Sequence, residues 1–274
     1  MTKAARAQVN HIPLLGLGTY PLRGEQADAA VRMAVETGIR HIDTAQMYGN
    51  EREVGRAIAA CGVPRAELFV VTKVDPGNVG AARFASSVER SVDDLGGPAD
   101  LLLIHWPPAA AEFDAALDRL MAERDKGHAK AIGVSNFTPA MMRRAQARCG
   151  GALINNQVEF HPLIDQTAVL ATARELGMTL SAYSPLVRGA ALKPRVIMDI
   201  AARIGRKPSE VVLRWITQQG VAAIPMTTRR ENAQSNLSSL AFDLSTEDMS
   251  AISALGTRAG RTINPGWMAG RWEP

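Results

Sequence analysis

The sequence predicts an α/β chain closed into a (β/α)8 barrel. Short apolar runs alternate with longer amphipathic segments eight times along the chain. The runs lack the polar alternation of a half-exposed strand, and several amphipathic segments stop at a glycine. Unbroken apolar strands suit a parallel sheet covered on both faces, and eight βα units suffice to close it. Glycine ends a helix because it enters the left-handed region without steric cost. Gly38, Gly127, Gly150 and Gly177 stand where that stop is needed.

The elements follow in order. LLGLG (14–18) precedes an amphipathic segment at 25–38, and IRHID (39–43) precedes 50–62. LFVVTK (68–73) leads to 82–96, DLLLIH (100–105) to 113–127, and AKAIGVS (129–135) to 138–150. LINNQV (153–158) leads to 166–177, MTLSAYS (178–184) to one long helical stretch at 196–219, and VAAIPM (221–226) to 230–240. The tail from residue 257 reads as loop. An open doubly wound sheet would need a glycine-rich phosphate loop after its first strand. GLGTYPLRG fails as one, because Tyr20 and Pro21 do not open a helix. No linker, repeat or low-complexity segment interrupts the chain, so residues 1–274 read as a single domain.

Composition narrows the function. The chain is 46% apolar and 21% charged, as an ordinary soluble protein is. No apolar run reaches membrane length, and MTKAARAQVN lacks the apolar segment of a signal peptide, so the cytoplasm is expected. Two cysteines, Cys61 and Cys149, are too few for a disulfide framework. The net charge is +4, but the basic residues are scattered, with only Arg229–Arg230 as a notable pair. A nucleic-acid stripe with interleaved aromatics is missing, so neither nucleic acid nor membrane is an expected partner.

Barrel enzymes carry their chemistry at the C-terminal ends of the strands. There the sequence places Asp43, Lys73, His105, Ser135–Asn136, Asn156–Gln157 with Glu159 just beyond, and Tyr183–Ser184. Singly, each has an ordinary explanation: a turn carboxylate, a solvated lysine head, a satisfied loop histidine. Together they share one rim. Tyr48 follows Asp43 by five residues, near enough for the loop to bring its phenol over the same pocket. A free phenol has a pKa of about 10, and a neighbouring ammonium is expected to lower it. A carboxylate would hold the lysine, and a neutral histidine would hydrogen-bond a substrate oxygen. Such a set donates a proton to a carbonyl oxygen that is becoming an alkoxide. With no nucleophile pattern and no metal-ligand pattern, the electrons must come from a hydride cofactor. His11, His41 and His128 have no placement that suggests function, and His161 sits in a loop before Pro162.

HIDTAQMYGNEREVG, VVTK, LLLIHWP, GVSNF, NQVEFHP and SAYSPL, in this order, resemble the aldo-keto reductases, over about residues 14–255. The short connecting loops resemble the bacterial 2,5-diketo-gluconate reductase branch. The resemblance implies an N-terminal hairpin, a C-terminal substrate loop and a monomer. It implies that Asp43, Tyr48, Lys73 and His105 are the catalytic four, with Tyr48 as general acid. Lys73 and Asp43 would tune it and His105 would orient the carbonyl. Ser135, Asn136 and Gln157 would hold a nicotinamide carboxamide, Tyr183 would stack on its ring, and Asp43 would also touch its ribose. Ser184, Leu186 and Pro225 would complete that part of the cofactor site. Tyr20 and Trp106 would line the substrate pocket with Tyr48 and His105. Trp215 reads as core, while Trp267 and Trp272 fall where the family carries its substrate-covering loop. The implied activity is NADPH-dependent reduction of small dicarbonyls, aromatic aldehydes or keto-sugar acids to alcohols. Two rivals are a non-catalytic NADPH-binding redox-sensing subunit and a Schiff-base aldolase using Lys73.

The family's grip on the adenosine 2′-phosphate is altered here. In IPMTTRRENAQSN, Met226 stands at the usual lysine, Thr227 at the serine, Asn232 at the arginine and Asn236 at the asparagine. The hydroxyls of Thr227 and Thr228 and the guanidiniums of Arg229 or Arg230 are the expected replacements, because a guanidinium suits a phosphate. NADPH is favoured, with NADH as the alternative. Asp75 stands where the family often has an aromatic residue, a charge expected to favour polar substrates.

Overall fold

Eight parallel strands ring one axis in the computed structural model of the chain, which describes residues 8–9, 11–268 and 270–272. Most of the N-terminal MTKAARAQVN lies outside the described residues. A short antiparallel hairpin, β1 (Gln8–Val9) and β2 (Ile12–Pro13), precedes the barrel. The barrel strands are β3 (Gly16–Gly18), β4 (His41–Asp43), β5 (Phe69–Val74), β6 (Ala99–Ile104), β7 (Ala129–Ser135), β8 (Leu153–Glu159), β9 (Thr179–Tyr183) and β10 (Ala222–Ala223). Each pairs with the next in chain order, and a bridge between Leu15 and Ala223 joins the last to the first. The (β/α)8 barrel and its N-terminal hairpin are as the sequence predicts.

The outer layer comprises α1 (Gly24–Thr37), α2 (Glu51–Ala60), α3 (Phe84–Leu95), α4 (Phe113–Asp125), α5 (Pro139–Arg148), α6 (Thr167–Glu175), α7 (Arg195–Ile204), α8 (Pro208–Gln218), α9 (Arg230–Ser238) and α10 (Thr246–Ser253). Gly38, Gly127, Gly150 and Gly177 all have positive φ, which is the stop the sequence signalled. The long helix expected over 196–219 is instead two. Gly205 turns left-handed at φ 65°, and Pro208 opens α8, where its missing N–H costs nothing. Helix α10 is an addition: Ser245 caps it by accepting from the Asp248 amide at 3.1 Å. The tail holds short 3-10 turns at Arg258–Gly260 and Gly266–Met268, and Met268 is fully buried.

Alternation along the strands sorts the side chains. Leu17, Ile42 and Val70 face outward to α1 and α2, packing with Val31, Val35 and Val54. Val71, Leu101, Leu103 and Ala222 face inward, where Ile12 of the hairpin packs with them at the strands' N-terminal end. His41 and Asn155 are also buried there, His41 bonded to the Pro13 carbonyl and Asn155 to Thr179 and Ser181, while Asp43, Lys73 and Gln157 face inward at the other end. No helix among the described residues is long and apolar enough to cross a membrane.

Helices α2 and α3 meet at Gly55, where an added methyl would lie 2.1 Å from the Asp94 carbonyl oxygen. Gly55→Ala is therefore expected to cost about 1–3 kcal/mol through overpacking, as measured by urea denaturation. An unchanged midpoint would show that the two helices part freely.

Candidate active site

Lys73, on β5, is fully buried, and Asp43 ends β4 beside it. The lysine Nζ donates to Asp43 Oδ1 at 2.6 Å, to the Thr44 carbonyl at 2.8 Å and to the Tyr48 hydroxyl at 3.3 Å. An ammonium has three N–H bonds, so all are spent. The phenol oxygen of Tyr48 accepts from Lys73, which leaves its own hydrogen free to be donated. The second carboxylate oxygen of Asp43 accepts from Gln157 Nε2 at 2.7 Å. Strands β4 and β8 stand four places apart in the ring of eight, so this bond spans the barrel.

Tyr48 rides a 3-10 turn, Gln46–Tyr48, that Gly49 closes at φ 62°. The turn is fixed by Gln46. Its amide nitrogen reaches the Ser87 carbonyl and the Ser87 and Ser91 hydroxyls, and its oxygen accepts from Asp75 N and Asn78 Nδ2 at 2.9 Å. Sequence reasoning passed over Gln46, because its partners lie 29 to 45 residues away.

Burial alone would lower the Lys73 pKa, but Asp43 and Tyr48 together hold it above the ordinary 10.5. Tyr48 corrects the expectation from sequence. Burial pushes the phenol up more strongly than Lys73 pulls it down, and Asp43 adds to the rise. The hydroxyl is thus kept protonated at neutral pH. Burial, and then Lys73, hold His105 well below 6.5, so its imidazole is neutral. Its ring packs edge-on against Tyr48, with centroids 5.7 Å apart, and its buried Nδ1 has no hydrogen-bond partner among the described residues.

Beside this centre lie the predicted cofactor residues of β7, β8 and β9. Ser135 Oγ donates to the Gln157 carbonyl at 2.8 Å. Asn136 Nδ2 donates to the His105 carbonyl and to Ser135 Oγ, and Asn136 Oδ1 accepts from the Tyr183 hydroxyl at 2.8 Å. Asn136, Ser184 and Val187 all have φ between 47° and 65°. Left-handed backbone at a residue bearing a side chain costs about 1–2 kcal/mol, and such strain collects at functional rims. Leu186 lies half-buried against the core on the helix side.

Four aromatic groups continue from Tyr48 and His105. Tyr20 lies 5.2 Å from Tyr48, Trp106 6.3 Å from His105, and Trp267 and Trp272 6.0 and 6.2 Å from Trp106. The tail thus brings two indoles onto the predicted substrate residues. Trp215 packs against Phe160 in the core, as expected. Asp75 Oδ1 accepts from Gly77 N at 2.7 Å and caps the 3-10 turn Pro76–Asn78.

After β10, Pro225, Thr227 and Asn236 are buried, and Met226 and Thr228 are exposed. Thr227 Oγ1 accepts from Arg229 N at 3.1 Å at the start of α9. The two arginines differ. Arg230 is held by Glu36 of α1, while Arg229 is 74% exposed and, among the described residues, has a single ion-pair contact, 3.7 Å to Glu231. A helix start with an uncommitted guanidinium suits an anion. The hydroxyl and amide groups of Ser135, Asn136 and Gln157 and the Tyr183 ring suit a flat amide-bearing ring. The residues present therefore fit a nicotinamide dinucleotide.

The model of the aldo/keto reductase family matches residues 14–257. The chain belongs to the aldo/keto reductase family. Among its relatives is a methylglyoxal reductase DkgB of Escherichia coli O157:H7, 38% identical over 266 residues, covering 96% of this chain and 99% of that one. An aldo-keto reductase of Mycobacterium avium (strain 104) is 40% identical over 91% of this chain and 89% of its own. A solved structure assigned as 2,5-diketo-D-gluconic acid reductase B superposes with a TM-score of 0.94 at 36% identity, over 99% of both chains. A mutant of Gox0644, solved in complex with NADPH, superposes at 0.87 with 31% identity over 92% of this chain and 93% of that one. With reductases on every side of the match, this aldo/keto reductase is an oxidoreductase acting on carbonyls.

Lys73→Met strands the buried Asp43 charge and is expected to cost about 3–5 kcal/mol in urea denaturation. The double variant with Asp43→Asn should recover part of that loss. If it recovers none, the two side chains do not act as a pair.

Proposed function

We propose that the protein reduces aldehydes and ketones with NADPH, acting as a cytoplasmic monomer on small dicarbonyls, aromatic aldehydes or keto-sugar acids. The observation that carries this reading is the Tyr48 hydroxyl, which accepts from Lys73 at 3.3 Å and keeps its own proton for the pocket. NADPH, held by the β7, β8 and β9 residues, would supply the hydride that the carbonyl carbon receives. Tyr48 gives the oxygen its proton. Lys73, held by Asp43, stabilises the phenolate left behind, and neutral His105 orients the carbonyl oxygen. Ser135, Asn136, Gln157 and Tyr183 would seat the nicotinamide, with Asp43 at its ribose and Ser184, Leu186 and Pro225 alongside. Thr227, Thr228, Arg229 and Asn236 would meet the far phosphate, with Arg230 in reserve behind its pair to Glu36. The small dicarbonyl is favoured by the methylglyoxal reductase name of the Escherichia coli relative.

Tyr48→Phe is expected to cut kcat by about 10²–10⁴-fold while NADPH still binds, as read by fluorescence titration. Turnover near the parent's would remove Tyr48 from its role. The pH profile follows from the same group. Tyr48 is protonated below its raised pKa and loses its proton above it, so reduction should stay level through neutral pH and fall only above about 10. A fall centred near pH 7 would point to another acid. For the cofactor, Arg229→Ala should raise the NADPH KM about tenfold and leave that for NADH alone, with Arg230→Ala the milder change. Equal use of both cofactors by the parent would instead mean that Met226 has loosened the phosphate grip.

A further inference from the structure

Glu159 ends β8, two residues beyond Gln157, and is fully buried. Nothing in the proposed chemistry uses it. Its Oε1 accepts from His161 Nε2 at 3.1 Å, from Thr262 N at 2.9 Å and from the Thr262 hydroxyl. Its Oε2 accepts from Ile263 N at 3.1 Å and lies 3.9 Å from the Arg261 guanidinium. Burial would raise this carboxyl, but the bonds from His161, Thr262 and Ile263 hold it below its ordinary value, so it is ionised. A buried carboxylate is costly unless its lone pairs are met, and here three donations come from the tail.

The rest of the tail is fastened as closely. Thr257 exchanges backbone bonds with Leu163 and Asp165, and Gly260 passes so near that a methyl there would lie 1.7 Å from the Leu163 carbonyl oxygen. Arg261 stacks over the Trp272 ring at 3.7 Å. At the far end, Arg271 donates to the carbonyls of Pro107 and Pro108 at 3.2 and 2.6 Å, directly after Trp106. The tail is therefore pinned at two places, on the β8 side and on the β6 side, with Trp267 between the pins and Trp272 directly after the second, both against Trp106.

We propose that Glu159 is a positioning residue for substrate discrimination, a buried anionic latch that with Arg271 holds the tail indoles over the pocket. It touches neither the carbonyl nor the proton donor, and it acts through the tail backbone. A large aromatic aldehyde reaches the indoles and gains from their being held. Methylglyoxal, with three carbons and no ring, offers the indoles little surface to hold. The latch should therefore set KM for the large substrate and leave kcat alone. This rests on the reductase reading for its kinetic half only.

The test uses Glu159→Gln, Gly260→Ala and Arg271→Ala in the full chain, with 2-naphthaldehyde, methylglyoxal and NADPH. Exchanging the carboxylate for an amide sets an NH2 against the tail donors. The naphthaldehyde KM should rise about tenfold in each variant while kcat and the methylglyoxal kcat/KM stay within about twofold. Trypsin should release the tail of Glu159→Gln, by cleavage after Arg258 or Arg261, about tenfold faster than from the parent. Tail release at the parent's rate in Glu159→Gln would overturn the latch. Faster release with an unchanged naphthaldehyde KM, or an equal loss on both substrates, would overturn its role in discrimination. If the parent reduces neither aldehyde, the reductase reading fails, and the proteolysis still decides the latch.

Discussion

The ion pair of Lys73 with Asp43 is the constraint around which the site is built. Both side chains are removed from water, which costs about several kcal/mol per ion before any attraction is counted. The protein offsets that by leaving neither group short of partners. The ammonium spends its three donors on Asp43, Thr44 and Tyr48, and Gln157 reaches across the barrel to the other carboxylate oxygen. Each bond fixes one further piece: the β4 loop, the phenol, and the strand that carries the candidate nicotinamide contacts. A charge so held stays beside the phenol, the preorganisation that the proposed proton transfer needs.

The barrel explains why this arrangement is stable. Ile12, Val71, Leu101, Leu103 and Ala222 form an apolar cluster inside it, and the Lys73, Asp43 and Gln157 group stands at the C-terminal end. There the backbone is strained at Asn136, Ser184 and Val187, and the neighbouring loops carry the aromatic wall. The buried carboxylate of Glu159 stands on the same strand as Gln157, so one rigid element reaches both the candidate cofactor site and the tail over the substrate side.

Much of this was legible in the sequence. The strand-to-helix rhythm and the polar residues at the ends of six successive strands are local signals, and local signals survive without coordinates. The cap at Ser245, the left-handed Gly205 and the proline of α8 were equally local, and reading them would have shown α10 and split the expected helix at 196–219. What could not be read depends on distance in the chain. Gln157 meets Asp43 across 114 residues, and Arg230 meets Glu36 across 194, a partner that distinguishes two guanidiniums that look equal in sequence. The direction of the Tyr48 shift was misjudged for a related reason. Sequence reveals a neighbouring cation, but burial, which outweighs it, is a property of the folded molecule.

The central claim is that one pocket joins a hydride donor to the Tyr48 proton donor at a carbonyl. Its most direct test is methylglyoxal turnover with NADPH deuterated at the transferable C4 position, with the product examined by mass spectrometry and NMR. The account predicts one deuterium, on the carbon that bore the reduced carbonyl. Cofactor binding without turnover, or an alcohol carrying no deuterium there, would contradict it.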